Sequence, residues 1–308
     1  MIEDTSETVL AKRTVNRIEE IAGTFPGYRR AHAKGELYEA TFTPTGEAAL
    51  FTTASHLRDA EVQAIVRFSN SSPNPSTADV LAAVKGMSVQ FQLNNDVANL
   101  VSITLPIFVT KSPQTFFDIL NTVKSFKDGK PHFKDMVKLF ASYPESRAAF
   151  QMIRKLKNTK SYATGCYYAV HAFYLVNEMG LRTPVKFEWE PEAGIETLSI
   201  KEAATLPSNY LETEMNERLQ REEVRFRLHI IIGEQDDPTD DPTKEWPQDR
   251  QRLEAGVLCV KARATVTKDN FMFDPTVLPT GIECSDDEIL PFRKDAYAVS
   301  YERRKKGE

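Results

Sequence analysis

Residues Arg29–Thr45 read RRAHAKGELYEATFTPT. The second half, Glu36–Thr45, alternates apolar and polar positions as a half-buried strand does. The first half, Arg29–Gly35, has no such period and places His32 between two alanines, directly after two arginines. The small neighbours leave room for a large flat ligand against that backbone, and Arg29 and Arg30 bring positive charge to it. A lone histidine is ordinarily a hydrogen-bonded core or surface residue, so the meaning of His32 depends on what surrounds this segment.

Before it, residues near 5–23 carry Val9, Leu10, Val15, Ile18 and Ile21 near one helical face. After it come three more strand patterns: VQAIVRFSN (Val62–Asn70), KGMSVQFQL (Lys85–Leu93) and NLVSITLPIFV (Asn99–Val109). A Pro-, Ser- and Asn-rich loop separates the first two, and a short NND hairpin signal the last two. The middle turns helical: SPQTFFDILNTVKSF, PHFKDMVKLFASYP and PESRAAFQMIRKL. Strands return as CYYAVHAFYLVN, PVKFEWEP, IETLSI, VRFRLHIII and AGVLCVKARATV. Within them PSNYLETEMNERLQREE reads as a helix with Ser208 as N-cap. Two sets of about four antiparallel strands separated by helices predict an α+β fold. The expected architecture is one closed eight-stranded β-barrel with helical insertions, in a single domain spanning residues 1–308.

The 308 residues are 41% hydrophobic and 27% charged, with a net charge of −5, as in ordinary globular proteins. A nucleic-acid partner is not expected, because phosphate binding needs a basic surface. Cys166, Cys259 and Cys284 are far apart, which argues against a disulfide framework or a zinc site and suits a reducing cytosol. No transmembrane segment is expected, since the longest apolar run, Val101–Val109, is too short to span a bilayer. The doubled aspartates at 236–237 and 240–241 lack the glycine and terminal glutamate of a calcium loop.

The C-terminus gives the opening segment its partner. It reads PFRKDAYAVSYERRKKGE, and a helix over about 288–304 puts Arg293, Tyr297, Ser300 and Arg304 on one face. A free phenol holds its proton at neutral pH; an arginine one turn away stabilises the phenolate. A phenolate is a good ligand for ferric iron.

Taken together, RRAHAKG, VRFSN, KGMSVQF, NLVSITLPIFV, YYAVHAFYLVNEMG, VKFEWEPEAG, DPTKEWP and RKDAY resemble, in order and over nearly the whole chain, the catalase superfamily. The similarity is closer to its short catalase-related haem peroxidases. The resemblance implies the catalase barrel core with a C-terminal proximal helix and haem b as cofactor. It implies His32 as distal acid–base, Ser69 hydrogen-bonded to its ring, and Tyr297 as iron ligand. Arg293 would hold Tyr297 ionised, while Arg29, Arg67 and Arg304 would pair with the haem propionates. Phe108, Phe116 and Phe117 read as core that in part lines the pocket, with Phe117 expected against the cofactor. His171 reads as a packed strand histidine, and His56, His132 and His229 as structural or exposed.

Two departures from full-length catalases shape the expected function. Where those enzymes carry an asparagine that assists peroxide binding, this reading places Thr104, whose shorter hydroxyl lacks the amide's donors. The chain also stops soon after the proximal helix. Both features favour a haem peroxidase that reduces organic or lipid hydroperoxides through a distal-His, proximal-Tyr ferryl mechanism, with weak hydrogen peroxide disproportionation. An unidentified reductant would be its second partner, and assembly into a homo-oligomer is left open. The alternatives are a fatty-acid hydroperoxide isomerase or dehydratase resembling allene oxide synthases, against which Thr104 argues, and a non-catalytic haem-binding protein. The complete His32–Ser69 pair argues against the latter.

Overall fold

In the computed structural model, which describes residues 6–94, 96–124, 133–266 and 271–308, the strand patterns pair in sequence order and then close on themselves. β1 (Gly35–Pro44), β2 (Val62–Asn70), β3 (Lys85–Gln92) and β4 (Val97–Ile103) form an antiparallel meander. β4 meets the short β5 (Tyr167–Tyr168), and both β5 and β6 (Phe173–Val176) lie along β7 (Arg182–Pro191). β8 (Val224–Ile232) and β9 (Arg252–Arg263) complete the ring by pairing β7 back to β1. The result is a closed barrel of eight antiparallel strands, to which β6 and β10 (Ile282–Cys284) add a short flap. Closure leaves no free edge in the ring.

Helices fill the long connections. α1 (Ser6–Ala22) precedes the barrel. α2 (Pro113–Lys124), α3 (Phe133–Ser142) and α4 (Ser146–Lys155) link β4 to β5, and α5 (Ile200–Ala203) and α6 (Tyr210–Leu219) link β7 to β8. α7 (Ile289–Lys306) closes the chain and packs on α1. α7 tolerates Pro291 because the first turn has no intrahelical N–H bonds to lose. It ends where Gly307 takes a left-handed φ of 72° and where Arg303, Arg304, Lys305 and Lys306 meet the negative end of the helix dipole.

Several local expectations are revised. The CYYAVHAFYLVN pattern is not one strand: residues 169–172 leave the ladder between β5 and β6, which carries His171 out of the sheet. IETLSI contributes only an isolated bridge, Thr159 to Thr197. Ser208 does not cap α6; the cap position is Asn209, and the buried Asp79 carboxylate accepts the Leu211 N–H instead. α1 buries Thr8, Ala11, Thr14 and Val15, while Val9 and Ile21 are 40% and 37% exposed. Small residues let α1 lie close to α7, where the Thr8 hydroxyl donates to Asp295 Oδ2 at 2.9 Å. Residue 5 of the expected first helix, the residue between Asn94 and Asp96, and His132 lie outside the described residues.

The barrel interior is solid. Phe42, Phe68, Phe91, Tyr167, Trp189 and Phe226 are fully buried within one core cluster. Phe42 meets Phe91 edge-on at 5.2 Å, and Phe68 stacks on Tyr162 at 5.2 Å. Gly256 in β9 is required because a side chain there would strike the Phe42 ring. Truncating one of these aromatics to alanine costs about 3–5 kcal/mol. A ligand of any size must therefore bind outside the barrel.

His56 belongs to this core, 3% exposed with its ring 4.6 Å from Phe91, and burial pushes its pKa down to about 4. A histidine held neutral in the folded state and free to titrate near 6.5 when unfolded supports folding above that pH. Its contribution is lost as pH falls toward 4, at up to about 1.4 kcal/mol per pH unit. Denaturant midpoints measured from pH 7.5 to 4 should therefore fall, and His56→Phe should flatten that fall. An unchanged slope in the variant would show that His56 does not carry it.

Candidate active site

Sheet alternation builds one wall of a cavity on the outer face of the barrel. Inward-facing Val66, Phe68, Met87, Val89 and Leu100 join the core. The residues between them face out, and the register aligns them in two rows: Ser69, Gly86 and Ile103 in one, Arg67, Ser88 and Val101 in the next. α1 and α7 supply the facing walls, and the enclosed space is about 280 Å³ measured to the centres of water molecules. Arg293, Tyr297, Ser300 and Arg304, the stripe read from the C-terminal sequence, all line it.

On the barrel side, His32 has a left-handed φ of 53°, an uncommon conformation in which histidine is nonetheless enriched. Arg67 Nη2 braces this turn by donating to the His32 and Ala33 carbonyls at 2.8 and 3.3 Å. His32 Nδ1 sits 3.0 Å from Ser69 Oγ. Gly86 makes the fit possible, since a Cβ there would lie 2.7 Å from Ser69 Oγ and 2.8 Å from His32 Nδ1. Burial, followed by the positive charges of Arg67, Arg293, Arg29 and Lys85, lowers the His32 pKa to about 3. The imidazole is neutral at physiological pH, and the same burial and charges disfavour its protonated form.

On the helix side, Arg293 Nη2 donates to the Tyr297 hydroxyl at 2.6 Å. Its Nη1 lies 2.7 Å from His171 Nε2, and His171 Nδ1 lies 2.6 Å from Asp287 Oδ2. The donors fix the tautomer: guanidinium can only donate, so Nε2 accepts and Nδ1–H donates to Asp287. Burial is the main reason the His171 pKa is lowered. The other oxygen of Asp287 accepts the Ile289 N–H at the start of α7. One hydrogen-bonded chain thus runs from the helix start through the buried His171 to the half-buried phenol.

Arg29 and Arg304 mark a third region. Both donate to the same carbonyl, Phe271 O, at 2.8 and 3.0 Å, so their guanidiniums converge at one end of the cavity. Arg29, Arg30, Arg67, Arg293 and Arg304 line the cavity, and no Asp or Glu does among the described residues. Such a lining suits an anionic ligand with a large apolar body. A planar macrocycle with two carboxylates and a metal that accepts a phenolate fits this donor set.

Two of the nine expected site residues lie elsewhere. Thr104 follows β4 and its hydroxyl accepts the Lys85 N–H at 3.0 Å, so it does not line the cavity. Ile103, one residue earlier and paired with Gly86, takes that place. Phe117 turns away from the cavity and packs under the Arg13 guanidinium at 4.6 Å, whereas its neighbour Phe116 lines the cavity with Phe108. On a helix, adjacent residues point about 100° apart. His32, Ser69, Arg29, Arg67, Arg293, Arg304 and Tyr297 are brought together. The sequence reading missed His171 and Asp287 as parts of the site. The SDDEIL segment, a carboxylate two residues before a helix, was the available signal for Asp287. Among the described residues no helix is long and apolar enough to cross a membrane.

Comparison with known proteins agrees with this geometry. The family model described as Catalase matches residues 18–307. The chain is 30% identical over 304 residues to the catalase-related peroxidase of Synechococcus elongatus, covering 97% of this chain and 90% of that protein. It is 33% identical over 297 residues to the catalase-related peroxidase of Mycolicibacterium paratuberculosis, covering 95% and 94%. Catalase A of Pseudomonas putida is 25% identical over 296 residues, spanning 90% of this chain but 61% of the longer enzyme. With a closed eight-stranded barrel, a C-terminal helix and a match over nearly its whole length, this chain belongs to the catalase family.

Proposed function

We propose that this enzyme is a haem b peroxidase that reduces organic hydroperoxides to alcohols at the expense of an external reductant. The observation that carries this reading is the pairing, across one arginine-lined cavity, of a neutral histidine flanked by Ile103 with a phenol held by a guanidinium. Haem, when bound, supplies the iron that the peroxide approaches and the electrons that cleave its O–O bond. Tyr297 would ligate the iron, with Arg293 holding the phenol oxygen by a hydrogen bond. Arg29 and Arg304 would receive the propionates, and Arg67, which braces His32, would add its charge.

His32 has the remaining work. With Nδ1–H donating to Ser69 Oγ, Nε2 presents its lone pair to the cavity. It takes the proton from the near oxygen of ROOH and returns it to the departing oxygen, so that the alcohol leaves neutral. Neutral imidazole has the lone pair that the first transfer needs, and its protonated form, disfavoured by burial and the nearby arginines, gives the proton up readily in the second.

Ile103 sets the substrate class. Disproportionation requires a second hydrogen peroxide to be held beside His32 and oxidised. An isoleucine offers that small polar molecule no hydrogen bond. With Val101, Phe108, Phe116 and Val170 it instead forms an apolar wall that accepts the alkyl group of a larger hydroperoxide. The separated cysteines suit a reducing cytosol.

Two outcomes test this reading. Purified haem-loaded enzyme given cumene hydroperoxide should oxidise two equivalents of a one-electron donor per alcohol formed. Rearranged product from a lipid hydroperoxide without donor would indicate an isomerase, and no reaction with peroxides a binding protein. Ile103→Asn should raise oxygen release from hydrogen peroxide at least tenfold, read with an oxygen electrode, whereas Thr104→Asn should not. Equal effects would show that Ile103 is not the limiting residue.

A further inference from the structure

The peroxidase reading leaves open how electrons enter. We infer that Tyr301 is an electron relay between an external donor and the cofactor cavity, and that the donor is an anionic one-electron reductant. The inference rests on the haem-peroxidase reading.

The interior beside His32 would be taken up by cofactor and peroxide, so a bulky donor would meet the cavity from outside. The exposed Lys305 and Lys306 at the last turn of α7 make that turn the favourable approach. Tyr301 stands there, lining the cavity while half-buried, one helical turn beyond Tyr297 on α7. Its ring lies 5.0 Å from the Arg304 guanidinium carbon and 5.3 Å from Lys305 Nζ. Lys305 and Lys306 are exposed, opposed by the exposed Glu302 and Glu308; Arg303 is engaged with Glu19 at 2.7 Å. The last turn of α7 thus offers an oxidisable ring with one ammonium, Lys305, and one guanidinium, Arg304, beside it.

The cavity contains few alternatives. Among the described residues the remaining aromatic rings of its lining, His32 aside, are Phe108, Phe116, Phe273 and Phe292, which do not give up an electron readily. The other phenol among the described lining residues, Tyr297, would ligate the iron. Trp189 and Trp246 do not line the cavity.

The electron balance is as follows. Reduction of ROOH to ROH and water consumes two electrons and two protons. Tyr301 passes one electron inward and its O–H proton to solvent, leaving a neutral phenoxyl radical. The donor returns one electron, a solvent proton restores the phenol, and the donor departs oxidised by one electron. Two rounds complete a turnover, with both protons of the overall reaction drawn from solvent.

The test uses haem-loaded full-length protein. Freeze-quenched wild type mixed with cumene hydroperoxide, without donor, should show a tyrosyl signal by electron paramagnetic resonance, and Tyr301→Phe should lose it. The ratio of kcat/KM for the bulky dianionic dye ABTS to that for small neutral guaiacol should fall at least tenfold in Tyr301→Phe. It should recover in Tyr301→Trp, which restores an oxidisable ring. Lys305→Glu should lower the same ratio at least threefold. A Tyr301→Phe protein that keeps both the radical signal and the wild-type ratio overturns the relay. A wild type without a Soret band, or inert toward cumene hydroperoxide, overturns the peroxidase reading itself and the relay with it.

Discussion

The chain Asp287–His171–Arg293–Tyr297 is the constraint around which the site is arranged. All of its links are short, between 2.6 and 2.7 Å, and both Asp287 and His171 are 1% exposed. So deeply buried, Asp287 and His171 need their partners, because an orphaned buried polar group costs about 1–3 kcal/mol and more when charged, while the half-buried Arg293 and Tyr297 carry the chain to the cavity. The chain also fixes α7 to the barrel. Asp287 holds the helix start through the Ile289 N–H, and His171 projects from the break between β5 and β6. The helix can therefore neither slide nor rotate without breaking several buried hydrogen bonds, and the phenol stays aimed into the cavity.

The barrel contributes a complementary rigidity. Its packed aromatic interior sets the positions of β2, β3 and β4, and the outward side chains of those strands form the opposite wall. Two features there follow from close approach. His32 adopts a left-handed backbone held by Arg67, and Gly86 leaves the space that His32 and Ser69 occupy. The same lowered dielectric that holds His32 neutral strengthens the pull of the arginines on an anionic ligand. The cavity thus sets His32 on the barrel wall and a phenol opposite, with an arginine beside each and two more, Arg29 and Arg304, converging at one end.

Much of this was legible in the sequence, for identifiable reasons. Strand alternation gave the barrel, and the spacing of Arg293, Tyr297, Ser300 and Arg304 gave the face of α7, because both signals are periodic and local. What was missed depends on phase or on distant partners. Thr104 and Ile103 differ by one residue, and only the register against Gly86 shows which one faces His32. Phe116 and Phe117 differ in the same way on α2. His171 looked like one residue of a continuous strand, because the break at 169–172 is imposed by contacts with Asp287 and Arg293, more than a hundred residues away. Asp79 capping α6 in place of Ser208 is likewise a long-range substitution that no local pattern encodes.

The central claim is that Tyr297, held by Arg293, binds haem iron across the cavity from His32. Absorption and resonance Raman spectra of purified haem-loaded protein test it most directly, comparing wild type with Tyr297→Phe. The account predicts a ferric Soret band with iron–phenolate vibrations in the wild type, and loss of those vibrations in the variant. Identical spectra for the two proteins, or a wild type that takes up no haem, would contradict it.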